Sequence, residues 1–134
     1  MADFDFNEFK DKVVELNDTA DTTDAYDPED VSKNKGMAIL AYLSWLVLIP
    51  LLCAKESRFA RFHCNQGLLL SIVETIAGII IGALARIPLI GWVFAVAGAL
   101  VEVVMFVMLI IGIVNAANGR AKELPVIGSI TLLK

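Results

Sequence analysis

One histidine, His63, and two cysteines, Cys53 and Cys64, supply the only imidazole and thiols in 134 residues. The cysteines stand eleven apart, without the close spacing or companion ligands of a zinc or dithiol centre, so both are expected to be structural. A lone histidine has no partner with which to share a metal, and no metal or cofactor is expected. There is no glycine-rich phosphate loop and no nucleophile beside an activating base, so the chain offers no catalytic set and does not read as an enzyme. Charge is scarce at 19% of residues, and no nucleic-acid partner is expected. The residues before the first apolar run lack a basic leader region, which predicts that this run is retained rather than cleaved. What fills the chain instead is apolar: 57% of residues are hydrophobic and the mean hydropathy is +0.71, more than a soluble domain needs for its core. The expected solvent is a bilayer.

The few charges are unevenly placed. Residues 1–36 hold eleven acids against four lysines, and residues 37–134 four acids against seven bases. This divides the chain into an acidic arm over 1–33 and a membrane domain over 34–134. Within the arm, Asp5 and Glu8 have the spacing of a capping box, and Phe6, Phe9, Val13 and Leu16 recur at helical spacing, which predicts a short amphipathic helix over 6–16. Residues 17–27 are polar and acidic and read as a solvated linker. Their aspartates at 18, 21, 24 and 27 lack the glycine and closing glutamate of a calcium loop. Asp27-Pro28-Glu29-Asp30 is a helix start, with an N-cap, a proline at the first position and acids in the first turn.

Three apolar runs follow, and the fold expected is an all-α membrane protein with three transmembrane helices, at about 37–54, 67–85 and 93–116. Pro50 would kink or end the first. Gly78 and Gly82 in the second form a small-xxx-small pattern that admits another helix. Arg86-Ile87-Pro88 breaks the second helix, so 87–92 is expected to be interfacial or reentrant before the third. Asn118-Gly119 supplies the stop, and the apolar piece 125–133 is too short to cross. Three spans put the two ends on opposite sides, and the bases Lys55, Arg58, Arg61, Arg120, Lys122 and Lys134 then place the first loop and C-terminus in the cytoplasm and the arm across the membrane.

Two features could carry a function. In the loop before the second run, Arg58 and Arg61 could meet lipid phosphates while Phe59 and Phe62 enter the acyl boundary, with His63 beside them as part of a lipid or partner contact. Within the spans, Glu74 and Glu102 fall in the middle third of the bilayer, where a carboxylate must face the bundle, be protonated or find a partner. They could form a proton or cation relay, or hydrogen-bond between helices. Asn65 and Gln66 open the second span and Asn115 and Asn118 close the third, all at one membrane level and able to bond across helices. The expected partners are the lipid bilayer and either a membrane protein or a second copy of the chain.

The runs Asn34-Lys35-Gly36-Met37-Ala38-Ile39-Leu40-Ala41-Tyr42-Leu43, Ile49-Pro50-Leu51-Leu52 and Ser57-Arg58-Phe59-Ala60-Arg61-Phe62-His63-Cys64-Asn65-Gln66-Gly67, with Gly112 to Gly119 and Leu124 to Gly128, resemble the bacterial membrane family of the domain of unknown function 4870. Its members are similar to the twenty-kilodalton import component of the chloroplast inner-envelope translocon (Tic). The resemblance implies a helical protein of the bacterial cell membrane of unestablished role, for which an association with protein translocation is one reading, and it adds no catalytic residues.

Overall fold

The computed structural model describes residues 6–132, with the side chains of Phe6, Val13 and Leu16 left outside that description. Asp5 of the expected capping box also lies outside it. Five α-helices are present among the described residues, and no strand beyond an isolated bridge between Asp21 and Lys122. They are α1 (Phe6–Leu16), α2 (Pro28–Leu40), α3 (Leu48–Cys53), α4 (Arg58–Ala85) and α5 (Gly91–Ala117).

Helices α4 and α5 form an antiparallel hairpin. At 28 and 27 residues they are each about 40 Å long at 1.5 Å per residue, enough to cross ~30 Å of hydrocarbon with polar ends to spare. They are the two helices long and apolar enough to span a membrane. Their outer faces carry Ile76, Ile79, Leu100, Val103 and Phe106, all more than half exposed, as lipid-facing helices do. Small residues set the close approaches. A Cβ at Gly91 would strike the Ala85 carbonyl, and one at Gly98 would lie 2.8 Å from Ile81 Cγ2. A Cβ at Gly78 or Gly82 would meet nothing within 4 Å, so this expected packing pattern is not used between helices of the described chain.

The first apolar run does not make a third span. α2 ends at Leu40, Ser44–Val47 form a 3₁₀ turn, and only the six residues of α3 are helical again. Six residues rise about 9 Å, far short of the hydrocarbon thickness. Two causes are visible. Ser44 sits at φ 55°, which turns the chain at the end of α2, and the segment is held sideways against α4, where a Cβ at Gly67 would run into the Ala41 carbonyl. Trp45, Leu46, Leu48, Ile49 and Leu52 remain exposed on the outer side, which suits a piece lying in the membrane boundary. The run is therefore not a third helix long enough to cross a membrane. Residues 87–92, expected to be interfacial or reentrant, are the hairpin turn and the start of α5: Arg86–Ile90 connect the helices, with Leu89 at φ 75°, while Gly91 and Trp92 are already helical.

With two long helices in the hairpin, the arm and the tail lie at the same end of it, and the expectation of opposite sides falls with the third span. The helix ends follow their sequence signals closely. Asp27 Oδ1 accepts from the Glu29 amide at 2.9 Å. Gly119 takes φ 70° after the Asn118 cap, and the Gly119 and Arg120 amides donate to the Ala116 and Asn115 carbonyls, closing α5 in a Schellman turn. α2 kinks at Asn34, whose amide side chain donates to the Asp30 carbonyl and carboxylate at 3.2 and 2.8 Å.

Candidate functional site

At the arm end of the hairpin the polar residues of α4 hold the rest of the chain in place. His63 is fully buried. Its Nε2 lies 2.9 Å from the Arg120 carbonyl, which can only accept, so Nε2 carries the proton and donates; Nδ1 then accepts from the Tyr42 hydroxyl at 2.5 Å. One side chain thus ties the residues just after α2, the start of α4 and the turn that follows α5. The rings of Tyr42, Phe59 and Phe62 stand edge-on to it at centroid distances of 5.4, 4.8 and 5.2 Å. Tyr42 also lies over α5 where a Cβ at Gly112 would meet its ring.

The next two residues clamp the tail. Gln66, 1% exposed, donates from Nε2 to the Gly128 carbonyl at 2.9 Å and accepts from the Leu124 amide at 2.8 Å. Asn65 donates to the Ile130 carbonyl at 2.9 Å and accepts from the Leu132 amide at 2.5 Å. Each amide thus satisfies one donor and one acceptor of an irregular strip of backbone, which could not otherwise be buried without cost.

The arm closes over the same strip. Residues 17–27, expected as a solvated linker, pair with the tail instead: the Thr22 amide donates to the Ala121 carbonyl at 2.9 Å, the Glu123 amide to the Ala20 carbonyl at 3.0 Å, and the Ala121 amide to Thr23 Oγ1 at 2.9 Å. Arg120 pairs with Asp21 at 2.6 Å. Burial alone would raise the Asp21 carboxyl, but hydrogen bonds from the Thr23 side chain and amide, with the charges of Arg120 and Lys122, outweigh it and hold the group below its ordinary value. Asn17 and Asn115 exchange amide hydrogen bonds of 3.0 and 3.1 Å. Ordering here comes from backbone and side-chain hydrogen bonds to the tail rather than from apolar burial, which composition could not reveal.

The expected contact residues separate accordingly. Phe59 and His63 belong to the core of this head, Phe62 is half-buried, and Arg58 faces outward with its guanidinium 5.5 Å over the Tyr26 ring. Arg58, Arg61, Phe62, Asn65 and Gln66 line a cavity of about 440 Å³ with Tyr26 from the arm and Glu123, Gly128 and Thr131 from the tail. Asn65, Gln66 and Asn115 reach the tail and arm, while Asn118 acts through its backbone as the cap of α5. Glu102 is exposed on the outer face of α5 and Glu74 is half-buried on α4, and neither carboxylate has a hydrogen bond or ion pair among the described residues. Gly98 facing Ile81 sets the antiparallel register, which puts the two acids about one turn apart in depth. Phe9 of α1 borders an apolar hollow beside Glu102 with Phe106 and Ile110.

Several residues were not singled out in the sequence for the part they play at this end of the hairpin. Ser57 caps α4, its Oγ accepting from the Ala60 amide at 3.0 Å, a signal readable from its place before a helical run. Asp30 accepts from the Phe59 amide at 3.1 Å and so caps α4 from another helix, a contact across 29 positions with no local signal. Tyr42, Arg120 and Glu123 are likewise long-range. Cys64 is buried and Cys53 exposed, both as free thiols.

Comparison with known proteins corrects the resemblance drawn from the motifs. Residues 33–131 match the family model described as the magnetosome magnetite crystal formation protein family. A UPF0132 membrane protein of Methanocaldococcus jannaschii is 35% identical over 69% of this chain and 63% of its own length. The magnetosome proteins MmsF and MamF of Paramagnetospirillum magneticum are 35% and 32% identical, over 68% and 69% of this chain and 78% and 77% of theirs. The motifs from Asn34 to Gly128 are thus those of this family, and the assignment to the domain of unknown function 4870, with its link to an import component, is overturned. No solved structure matches the chain.

Proposed function

The chain belongs to the magnetosome magnetite crystal formation protein family, and from that premise we propose that it is a non-catalytic membrane hairpin acting by contact through its clasped head, on the cytoplasmic face of the membrane. The observation that carries this is the latching of the tail onto α4 by His63, Asn65 and Gln66, and of the arm onto the tail by the Thr22 and Glu123 amides and the Arg120–Asp21 pair, which makes one polar head at one end of two apolar helices. That end carries Lys33, Lys35, Lys55, Arg58, Arg61, Arg120 and Lys122, whereas the hairpin turn carries Arg86 alone. The positive-inside rule supports a cytoplasmic head.

Two relatives are named as magnetosome proteins, and in such a setting the far side of this chain would present only Arg86–Ile90. That turn has no carboxylate to hold an iron cation. The exposed acids Glu15, Asp18 and Asp24 lie with the tail on the head, where they raise the local concentration of cations and basic partners. On this reading the chain influences a crystal through the membrane and through proteins at its cytoplasmic face, without touching the mineral. A relay through Glu74 and Glu102 is not favoured, because Glu102 points outward and two helices enclose no path.

The test uses single cysteines in a background without Cys53 and Cys64. Ser32→Cys and Ser129→Cys should react with an impermeant maleimide only from the cytoplasmic side of sealed membranes, and Leu89→Cys only from the other. Iron oxide precipitated against vesicles that display only the hairpin turn should match that on protein-free vesicles. Labelling of Ser32→Cys from the far side, or altered particles on the hairpin side, would overturn the proposal.

A further inference from the structure

The cavity beside Arg58 is lined by both signs of charge. Arg58 and Glu123 share its walls with Tyr26, Arg61, Asn65 and Gln66, yet neither Arg58 nor Glu123 has an ion-pair partner among the described residues. A guanidinium and a carboxylate held apart around about 440 Å³ suit an occupant that carries an anion and a cation side by side. The volume is that of a small-ligand site. Its depth is informative as well. Gln66 adjoins the apolar run that begins at Gly67, and Arg58 stands eight residues before Gln66, about 12 Å further out on the helix. The walls therefore begin at the hydrocarbon edge and extend through the level of lipid headgroups.

We propose that this cavity binds the headgroup of an amine-bearing zwitterionic phospholipid, phosphatidylethanolamine in chemical class, with its phosphate on Arg58 and Arg61 and its ammonium on Glu123. The proposal rests on the reading that α4 and α5 span the membrane with the head at the boundary. Arginine suits the phosphate because its planar fork donates two parallel hydrogen bonds. The carboxylate supplies selectivity: phosphatidylglycerol has no ammonium to offer it, and the quaternary ammonium of phosphatidylcholine has no N–H to donate. The same phosphate and ammonium chemistry occurs in soluble glycerophosphoethanolamine, which lacks the acyl chains that would hold it at this depth.

The full chain in detergent, titrated with phosphatidylethanolamine, phosphatidylglycerol or phosphatidylcholine and read by native mass spectrometry, tests the site. Phosphatidylethanolamine should be retained over the other two, and millimolar glycerophosphoethanolamine should not displace it. Arg58→Gln should weaken retention of all three roughly tenfold, as expected for loss of a charge-assisted bond, with Arg58→Lys recovering part of it. Glu123→Gln should bring phosphatidylethanolamine and phosphatidylglycerol to equal retention while leaving both bound. Equal retention of the three lipids by the unmodified chain overturns the proposal, as does an unchanged preference in Glu123→Gln with unaltered helix content. Displacement by glycerophosphoethanolamine overturns the lipid source. The maleimide pattern above is independent of lipid choice, so failure here with that pattern intact removes the headgroup site alone.

Discussion

Replacing Gln66 by leucine isolates the latch from the helices it sits on. The side chain is 1% exposed and makes two bonds, to the Gly128 carbonyl at 2.9 Å and from the Leu124 amide at 2.8 Å. Leucine keeps the bulk and the helix propensity but can make neither. Each bond is worth about 0.5–1.5 kcal/mol net, and each backbone group left buried without a partner costs about 1–3 kcal/mol. Offset by the apolar gain of leucine, local opening of the tail should become easier by about 2–4 kcal/mol, or roughly 30- to 1,000-fold in its opening constant. Amide hydrogen exchange in detergent micelles reads this directly, because local opening is what exposes these amides. Protection should fall at Ala121, Leu124, Gly128 and Leu132, with the amides in the middle of α5 unchanged. Unchanged protection at Leu124 in Gln66→Leu would refute the latch; equal loss in the middle of α5 would show that Gln66 supports helix pairing instead.

Three further outcomes follow from the geometry. The Asp21 carboxyl lies below its unfolded value of 3.8, so its contribution to the clasp is complete above about pH 4 and is lost as pH falls through the lower folded value; limited proteolysis of the arm should accelerate only in that acid range, and Asp21→Asn should remove the dependence. Gly67→Ala and Gly112→Ala place a Cβ into the Ala41 carbonyl and the Tyr42 ring and should each destabilise by about 1–3 kcal/mol or more, whereas Gly78→Ala meets open space and should be neutral or slightly stabilising in detergent unfolding. Asp30→Ala removes the acceptor for the Phe59 amide and for the Asn34 side chain and should cost about 0.5–2 kcal/mol as a lost cap, seen as faster exchange at the start of α4 and at the kink of α2.

Hydropathy and local chemistry determined a good deal of this protein. The two long apolar helices, the helix start at Asp27-Pro28, the stop at Asn118-Gly119 and the short helix over 6–16 each depend on residues a few positions apart; the last three stand where their signals placed them, while α4 begins at Arg58, nine residues before the apolar run expected at 67–85. Only the tertiary structure decided what the first apolar run does. Composition makes residues 37–54 apolar enough to cross, but Ala41 and Tyr42 are captured by Gly67, His63 and Gly112, and the chain turns at Ser44 before a span can form. That one event puts the arm and tail on the same side. The arm was legible as acidic but not as ordered, since the groups that order it are backbone carbonyls and amides about a hundred residues away. Arg58 and Arg61 were legible as a basic pair at the membrane boundary. Glu123, which completes their cavity from the tail, was not, because nothing local links positions 58 and 123; the link is made by Gln66 holding the tail across α4.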